Sequence, residues 1–258
     1  MPLDMLLLFV AGILGGIVNA IAGGGSFITF PALLFVGIPP VAANATNTYA
    51  SFAGYVSGAV AFREELSQIR PQLLKLTLIS LGGGLAGAWL LLQTDEDLFQ
   101  RAIPWLLLIA TFLFIFGGRI NQLLSRFSHF KSTFSVGLLS VLLLLVCIYG
   151  GFFNAGLGII ILSYLVLQGY QNIHLMNGLK LLISSAVSVT AIGLFIANGA
   201  IVWFEGSVLL LGTLIGGYIA AHTSRNIPQH AVRKTVIFAS VLITLHFFQQ
   251  TYSLIPFS

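Results

Sequence analysis

Charge is what this sequence has least of. Only 7% of its 258 residues are Asp, Glu, Lys or Arg, against 57% hydrophobic, and the mean hydropathy is +1.00. A soluble domain carries roughly a quarter charged residues. A soluble core is thereby excluded, and a chain that passes repeatedly through a bilayer is expected. Cysteine is nearly missing: Cys147 stands alone in an apolar run. That rules out a disulfide within the chain and a thiolate metal cluster. Also missing is the period-two alternation of a membrane barrel, so the class is all-α. No His or carboxylate spacing resembles a metal site, and no cofactor is expected. All seven acidic residues fall near span ends or in loops, which leaves no obvious buried carboxylate to carry a coupling proton. The first residues, MPLD, lack the basic start of a signal peptide, so Met5–Ala22 is expected to be a retained helix. The formal charge of +4 is dispersed over short loops, and no nucleic-acid partner is expected.

What is present is a set of long apolar runs. Spans are expected at 5–22, 41–62, 72–92, 102–118, 134–153, 174–197, 205–221 and 230–248, each near or above the ~17 residues that cross a bilayer. Two short pieces remain, Ser26–Val36 and Ile159–Leu167, each long enough for about half a bilayer. The basic residues fall into three inter-helix loops: Arg63, Arg70 and Lys75; Arg119, Arg126 and Lys131; and Arg225, Arg233 and Lys234. Gln93–Arg101 is mostly acidic, and Ala197–Glu205 has no Lys or Arg. If the basic loops face the cytoplasm, each half crosses an odd number of times. The short pieces then carry the chain across, and both termini lie outside. Eight spans with two re-entrant hairpins is the alternative.

The chain repeats itself at an offset of about 132 residues: Gly24 matches Gly156 and Gly37 matches Gly169. After a one-residue insertion, Asn44 matches Asn177, Asn47 matches Lys180, Ser51 matches Ser184 and Tyr55 matches Ser188; near the ends, Arg101 matches Arg233. The expected architecture is an all-α polytopic membrane protein of two inverted repeats, 1–132 and 133–258, in one integrated membrane domain. Each repeat has about four full spans plus one short broken half-helix. Gly83 and Gly87, and their counterparts Gly212 and Gly216, have the small-xxx-small spacing that lets helix backbones approach in lipid. These glycines are read as structural.

Lys180 is the sharpest functional signal. The ten other Lys and Arg residues lie in loops or at span ends, whereas Lys180 sits inside a span with LLI directly after it. A charge at a span centre costs at least ~2.5–3.5 kcal/mol. Snorkelling to the interface is the competing explanation. Asn177, Lys180, Ser184 and Ser188 are spaced to share one helix face, and Asn44, Asn47 or Thr48, Ser51 and Tyr55 repeat that stripe. A cation between two polar stripes suits an anion.

The glycine clusters come second. Gly23, Gly24, Gly25 and Ser26 in one copy, and Asn154, Gly156 and Gly158 in the other, stand where one helix stops and a short one starts. Glycine permits the turn and lets a ligand touch backbone amides. The N–H groups of a following half-helix favour an anion. Asn19 and Asn154 flank the breaks, as ligand groups or as partners of orphan backbone. Pro39 and Pro40 end the first short piece and pre-set the next helix. His129, His222 and His230 are read as solvated or bound to lipid headgroups; His174 and His246 are isolated.

These motifs resemble the TauE/SafE family of membrane permeases, the group containing sulfite and organosulfonate exporters. The resemblance rests on GILGGIVNAIAGGGSFITFPALLFVGIPPVAANATNTYAS, on NAGLGIIILSYLVLQGYQNIHLMNGLKLLISSAVS and on LGTLIGGYIAAHTSRNIPQHAVRK. It covers essentially the whole chain. It implies a two-repeat secondary transporter of small sulfur-containing or carboxylate anions in the cell (inner) membrane. Gly23, Gly24, Gly25, Thr46 and Asn47 match the family's first motif, and Lys180 matches the lysine seen in the second repeat of some members. The second cluster reads NAGLG where the commoner form is GxGGG. The expected substrate-binding set is therefore Lys180, Asn177, Ser184, Asn44, Asn47, Thr46, Ser51, Gly23, Gly24, Gly25, Ser26, Asn154, Gly156 and Gly158, with no catalytic and no metal-binding residue. The expected partners are a small anion and the lipid bilayer. A coupling proton or cation and a second copy of the chain, as a homodimer, are further candidate partners. The rival readings are an intramembrane enzyme and a non-transporting assembly subunit. The enzyme needs a nucleophile–base pair, which His174 and His246 do not offer by spacing, and no G-x-S-x-G occurs.

Overall fold

A computed structural model describes residues 2–127, 136–223 and 229–252. They form helices only: α1 (Pro2–Ala22), α2 (Ser26–Phe35), α3 (Pro40–Ala61), α4 (Arg63–Ser67), α5 (Arg70–Leu92), α6 (Glu96–Phe127), α7 (Val136–Phe152), α8 (Leu157–Leu167), α9 (Ile173–Ala197), α10 (Trp203–Thr223) and α11 (Gln229–Tyr252). The protein is an all-α polytopic membrane protein. Among the described residues five helices, α1, α5, α6, α9 and α10, are long and apolar enough to cross a membrane. Large apolar side chains such as Leu74, Leu78, Trp89 and Phe238 point outward, as a lipid-facing surface requires. The repeat boundary at 132/133 lies outside the described residues. So do the side chains of Arg126, His129, Lys131, His222, Arg225, His230 and Arg233.

Each glycine break is followed by a short helix: α2, about 15 Å long, and α8, one residue longer. Both end in the same way. Gly37 (φ 86°) and Gly169 (φ 87°) occupy the left-handed region after the last turn. Gly37 N–H donates to the Leu34 carbonyl and Ile38 N–H to that of Leu33; Gly169 N–H donates to Val166 and Tyr170 N–H to Leu165. These paired bonds satisfy carbonyls that the helix end would leave open. The next helices start differently. Pro39 and Pro40 launch α3, whereas the Asn172 side chain accepts from His174 and Leu175 N–H to cap α9.

Two glycine seams fix the long helices. α1 lies on α10, where a Cβ on Gly216 would fall 2.0 Å from the Ile13 carbonyl oxygen and one on Gly12 would fall 2.5 Å from that of Leu209. α5 lies on α7, where a Cβ on Gly87 would fall 2.1 Å from the Ile148 carbonyl oxygen and one on Gly83 would fall 2.4 Å from Cys147 Cβ. Residue numbers rise together along both seams, so each pair is parallel. Thr213 donates to the Ala50 carbonyl and Val202 N–H to Thr46, which lays α3 parallel to α10 as well. By contrast α3 and α9 are antiparallel: Gly58 meets Leu181 while Gly178 meets Phe62 and Leu66. α6 and α11 are antiparallel too, with Trp105 bonded to Tyr252 and Thr111 to Thr244. α2 folds back along α1, with Thr29 against Gly15 and Gly25 against Asn19.

Two features depart from the sequence expectation. α4 is an extra short helix, and α6 runs Glu96–Phe127 where a span of 102–118 was expected. Neither end of α6 is apolar. Glu96 is held there because its carboxylate accepts from Val41 N–H at 3.0 Å, which satisfies an orphan donor at the start of α3.

Candidate functional site

The site forms where the two interrupted helices meet. α1 stops at Gly23 (φ 75°), whose N–H bonds back to the Val18 and Asn19 carbonyls. α2 restarts at Ser26. On the other side Gly156 (φ 78°) caps α8, and Leu157 N–H donates to the Asn154 carbonyl. Both left-handed turns need glycine for the same reason: a Cβ clashes with the carbonyl there. The breaks lie close together. A Cβ on Gly158 would fall 3.8 Å from the Gly23 carbonyl oxygen and 3.3 Å from Lys180 Cδ. The Lys180 stem thus passes between them.

A small cavity sits at this junction, lined by Asn19, Gly23, Ser26, Tyr55, Asn154, Gly158, Lys180, Leu181 and Ser184. Its volume of about 10 Å³ holds one water molecule. Among the described residues the lining carries one ammonium, several hydroxyls and amides, and no carboxylate or histidine. Lys180 Nζ donates to Asn177 Oδ1 across a long 3.4 Å. The Asn154 side chain accepts from the Tyr55 hydroxyl at 3.0 Å, but its own Nδ2 is buried without a partner. Tyr149 braces this break by donating to the Ala155 carbonyl at 2.7 Å. Buried polar groups are nearly always paired. An ammonium and an unpaired amide donor around one cavity make a place where an anion would complete the hydrogen bonding.

Of the sequence-predicted residues, Gly23, Ser26, Asn154, Gly158, Lys180 and Ser184 line this cavity. Asn177 reaches it only through Lys180. Asn47 stands one layer behind: its Nδ2 donates to Ser26 Oγ at 3.2 Å and its Oδ1 accepts from Thr29. Ser51 lies near the Tyr55 hydroxyl. The remaining five do not reach the cavity. Asn44 donates to the Phe152 carbonyl at 2.9 Å, and Thr46 accepts from Val202 N–H at 3.0 Å. Gly24 is packed by Phe114 and Val236, Gly25 by the Gly15 carbonyl and Asn19, and Gly156 by Ala110. Their jobs, in this geometry, are to hold helices together.

Tyr55 and Asn19 are lining residues outside the predicted set. Tyr55 extends the α3 stripe one turn past Ser51, and Asn19 lies four residues before the break, so spacing marked both. His174 packs against the Phe62 ring, and His246 against Phe35 and Phe247, and neither lines the cavity.

A sequence model of the family described as "Sulfite exporter TauE/SafE" matches residues 8–247. Among curated proteins, the chain is 28% identical over 246 residues to a "Probable membrane transporter protein" of Haemophilus influenzae, covering 94% of each. It is 27% identical over 242 residues to "Probable membrane transporter protein ORF9" of Sinorhizobium, covering 92% of this chain and 90% of that one. It is 26% identical over 247 residues to "Probable membrane transporter protein YfcA" of Escherichia coli, covering 94% and 89%. No solved structure matches the chain.

Proposed function

Since the chain belongs to the sulfite exporter TauE/SafE family and is a membrane transporter, we propose that its cargo is a small oxyanion, sulfite, sulfoacetate or a related sulfonate or carboxylate. The observation that carries this reading is the Lys180 ammonium beside the unpaired Asn154 amide, in a cavity with no carboxylate. The N-termini of α2 and α8 meet at the same place and add partial positive charge. The cavity has room for one water molecule, so an anion enters only after the site widens toward one face. We read this as an occluded state in an alternating-access cycle. Two inverted repeats, 1–132 and 133–258, fit the antiparallel runs of α3 with its counterpart α9 and of α6 with α11. Placing the three basic loops in the cytoplasm puts both termini outside an inner cell membrane.

Reconstitution into vesicles tests the site. Wild-type protein should move a labelled anion from the sulfite, sulfoacetate, taurine and short-carboxylate panel, and Lys180→Gln should not, at equal protein level. Unchanged flux in the variant removes the assignment. The same panel, read by thermal stabilisation in detergent, identifies the cargo.

A further inference from the structure

Past the cavity, the seam between α3 and α9 continues toward the face away from α4. The two helices are antiparallel, with Gly58 against Leu181 and Gly178 against Phe62. In that register Tyr55 stands opposite Ser184, and both line the cavity. One turn further on, Ser51 stands opposite Ser188. Both are buried, and Ser188 has no exposed surface.

Ser188 is an anomaly. Its Oγ has no hydrogen-bond partner. Other buried or half-buried helix hydroxyls here take the local option. Ser80, Ser185, Thr48 and Thr244 each donate to the carbonyl four residues back. That carbonyl is on offer at any helix interior position. A buried hydroxyl that leaves it unused is unsatisfied in this state of the protein and needs a partner from outside the fold.

The repeat says what that partner is. Tyr55 matches Ser188 and Ser51 matches Ser184, so exchanging the two halves turns the Tyr55–Ser184 layer into the Ser188–Ser51 layer. Ser26 and Gly158 match each other, and both already line the cavity. The same exchange replaces Lys180 by Asn47 and Leu181 by Thr48.

We propose that Ser51 and Ser188 form a second oxyanion-binding layer, used when the transporter opens to the face away from α4. The proposal rests on the transporter reading above and adds a second subsite to it. The layer offers hydroxyl donors but no cation. The cavity in the described state leans the other way: Lys180, Leu181, Gly158 and Gly23 are half-buried, whereas Ser51, Ser184 and Ser188 are buried. The path therefore has a charged end and a neutral end, and the anion is held more tightly from the charged side.

Accessibility tests this without knowledge of the cargo. Cys147 is the lone cysteine and is buried, so the native chain serves as background. Ser188→Cys is compared with Val187→Cys, whose position is equally buried on the neighbouring helix face. Each is reconstituted in vesicles and treated with a membrane-impermeant methanethiosulfonate from one side or the other. The expected result is modification of Ser188→Cys from the face away from α4 and none of Val187→Cys. Modification of Ser188→Cys no faster than Val187→Cys, or only from the α4 side, overturns the proposal. Failure of the underlying site would show separately, as retained anion flux in Lys180→Gln.

Discussion

The two halves share a backbone plan and differ in how far their polar groups are satisfied. Both short helices end in the same paired turn at Gly37 and Gly169. Both breaks use a left-handed glycine. In the first half the Asn47 amide is engaged at both ends, by Ser26 and Thr29, and Asn44 and Thr46 are tied to backbone. In the second half the position equivalent to Asn47 is Lys180, with one long bond, and the break supplies an Asn154 nitrogen with none. The polar stripe of the first half is thus satisfied, by its own side chains and by backbone of the second half. The second keeps donors in reserve, and the cavity lies on them. A near-symmetric frame can thus carry a one-sided charge, and the proposed anion site lies on the side that is left unsatisfied.

That contrast can be broken at its strongest point by removing the cation. Lys180→Gln keeps length and polarity but loses the charge. Anion affinity, read as a Kd from thermal stabilisation, should fall about 10- to 100-fold, the range for losing ~1.5–3 kcal/mol of charge-assisted hydrogen bonding. Melting of the empty protein should hold or rise, because a buried charge is removed. The opposite pattern is expected at the equivalent residue of the first half. Asn47→Ala removes one hydrogen-bond partner from each of Ser26 and Thr29 and should lower stability by about 1–3 kcal/mol, seen as a lower melting temperature. If Asn47→Ala instead weakens the anion as much as Lys180→Gln does, the division of labour between the halves is wrong.

A matched pair sharpens the symmetric part of the comparison. Gly87→Ala and Gly216→Ala each push a Cβ to within 2.1 and 2.0 Å of a facing carbonyl oxygen. Each should destabilise by about 1–3 kcal/mol through overpacking, by similar amounts in both halves. A large effect at one seam alone would show that only one is a fixed contact. The smallest effect is expected from Tyr55→Phe, which removes the hydroxyl donated to Asn154. Losing about 0.5–1.5 kcal/mol would weaken the anion by roughly 2- to 10-fold, measured by the same titration.

Much of this frame is legible in the residues. Long apolar runs mark the spans, and glycine followed by too few apolar residues marks α2 and α8. The part that is not legible has physical causes. α4, REELS, has no apolar periodicity, and its place depends on Leu66 packing against Gly178 of α9. The length of α6 depends on Glu96 finding Val41 N–H, a contact across the fold. At the site, a three-and-four spacing shows which residues share a helix face but not what each one meets there. Lys180 and Ser184 meet the cavity. Asn44, on the matching stripe, meets the Phe152 carbonyl instead. Tyr55 belongs to that stripe as well. Its match to Ser188 hid that it lies opposite Ser184, because the repeat relates residues that the antiparallel seam does not pair.

The seams also set an order of assembly. α1 leaves the ribosome well before α10, but the face that carries Gly12 and Gly16 belongs against α10. The seam between α5 and α7 can close long before then. During synthesis α1 must therefore wait in the lipid with its small-residue groove uncovered, and a chain that stops short of α10 leaves that groove for quality-control proteases to find.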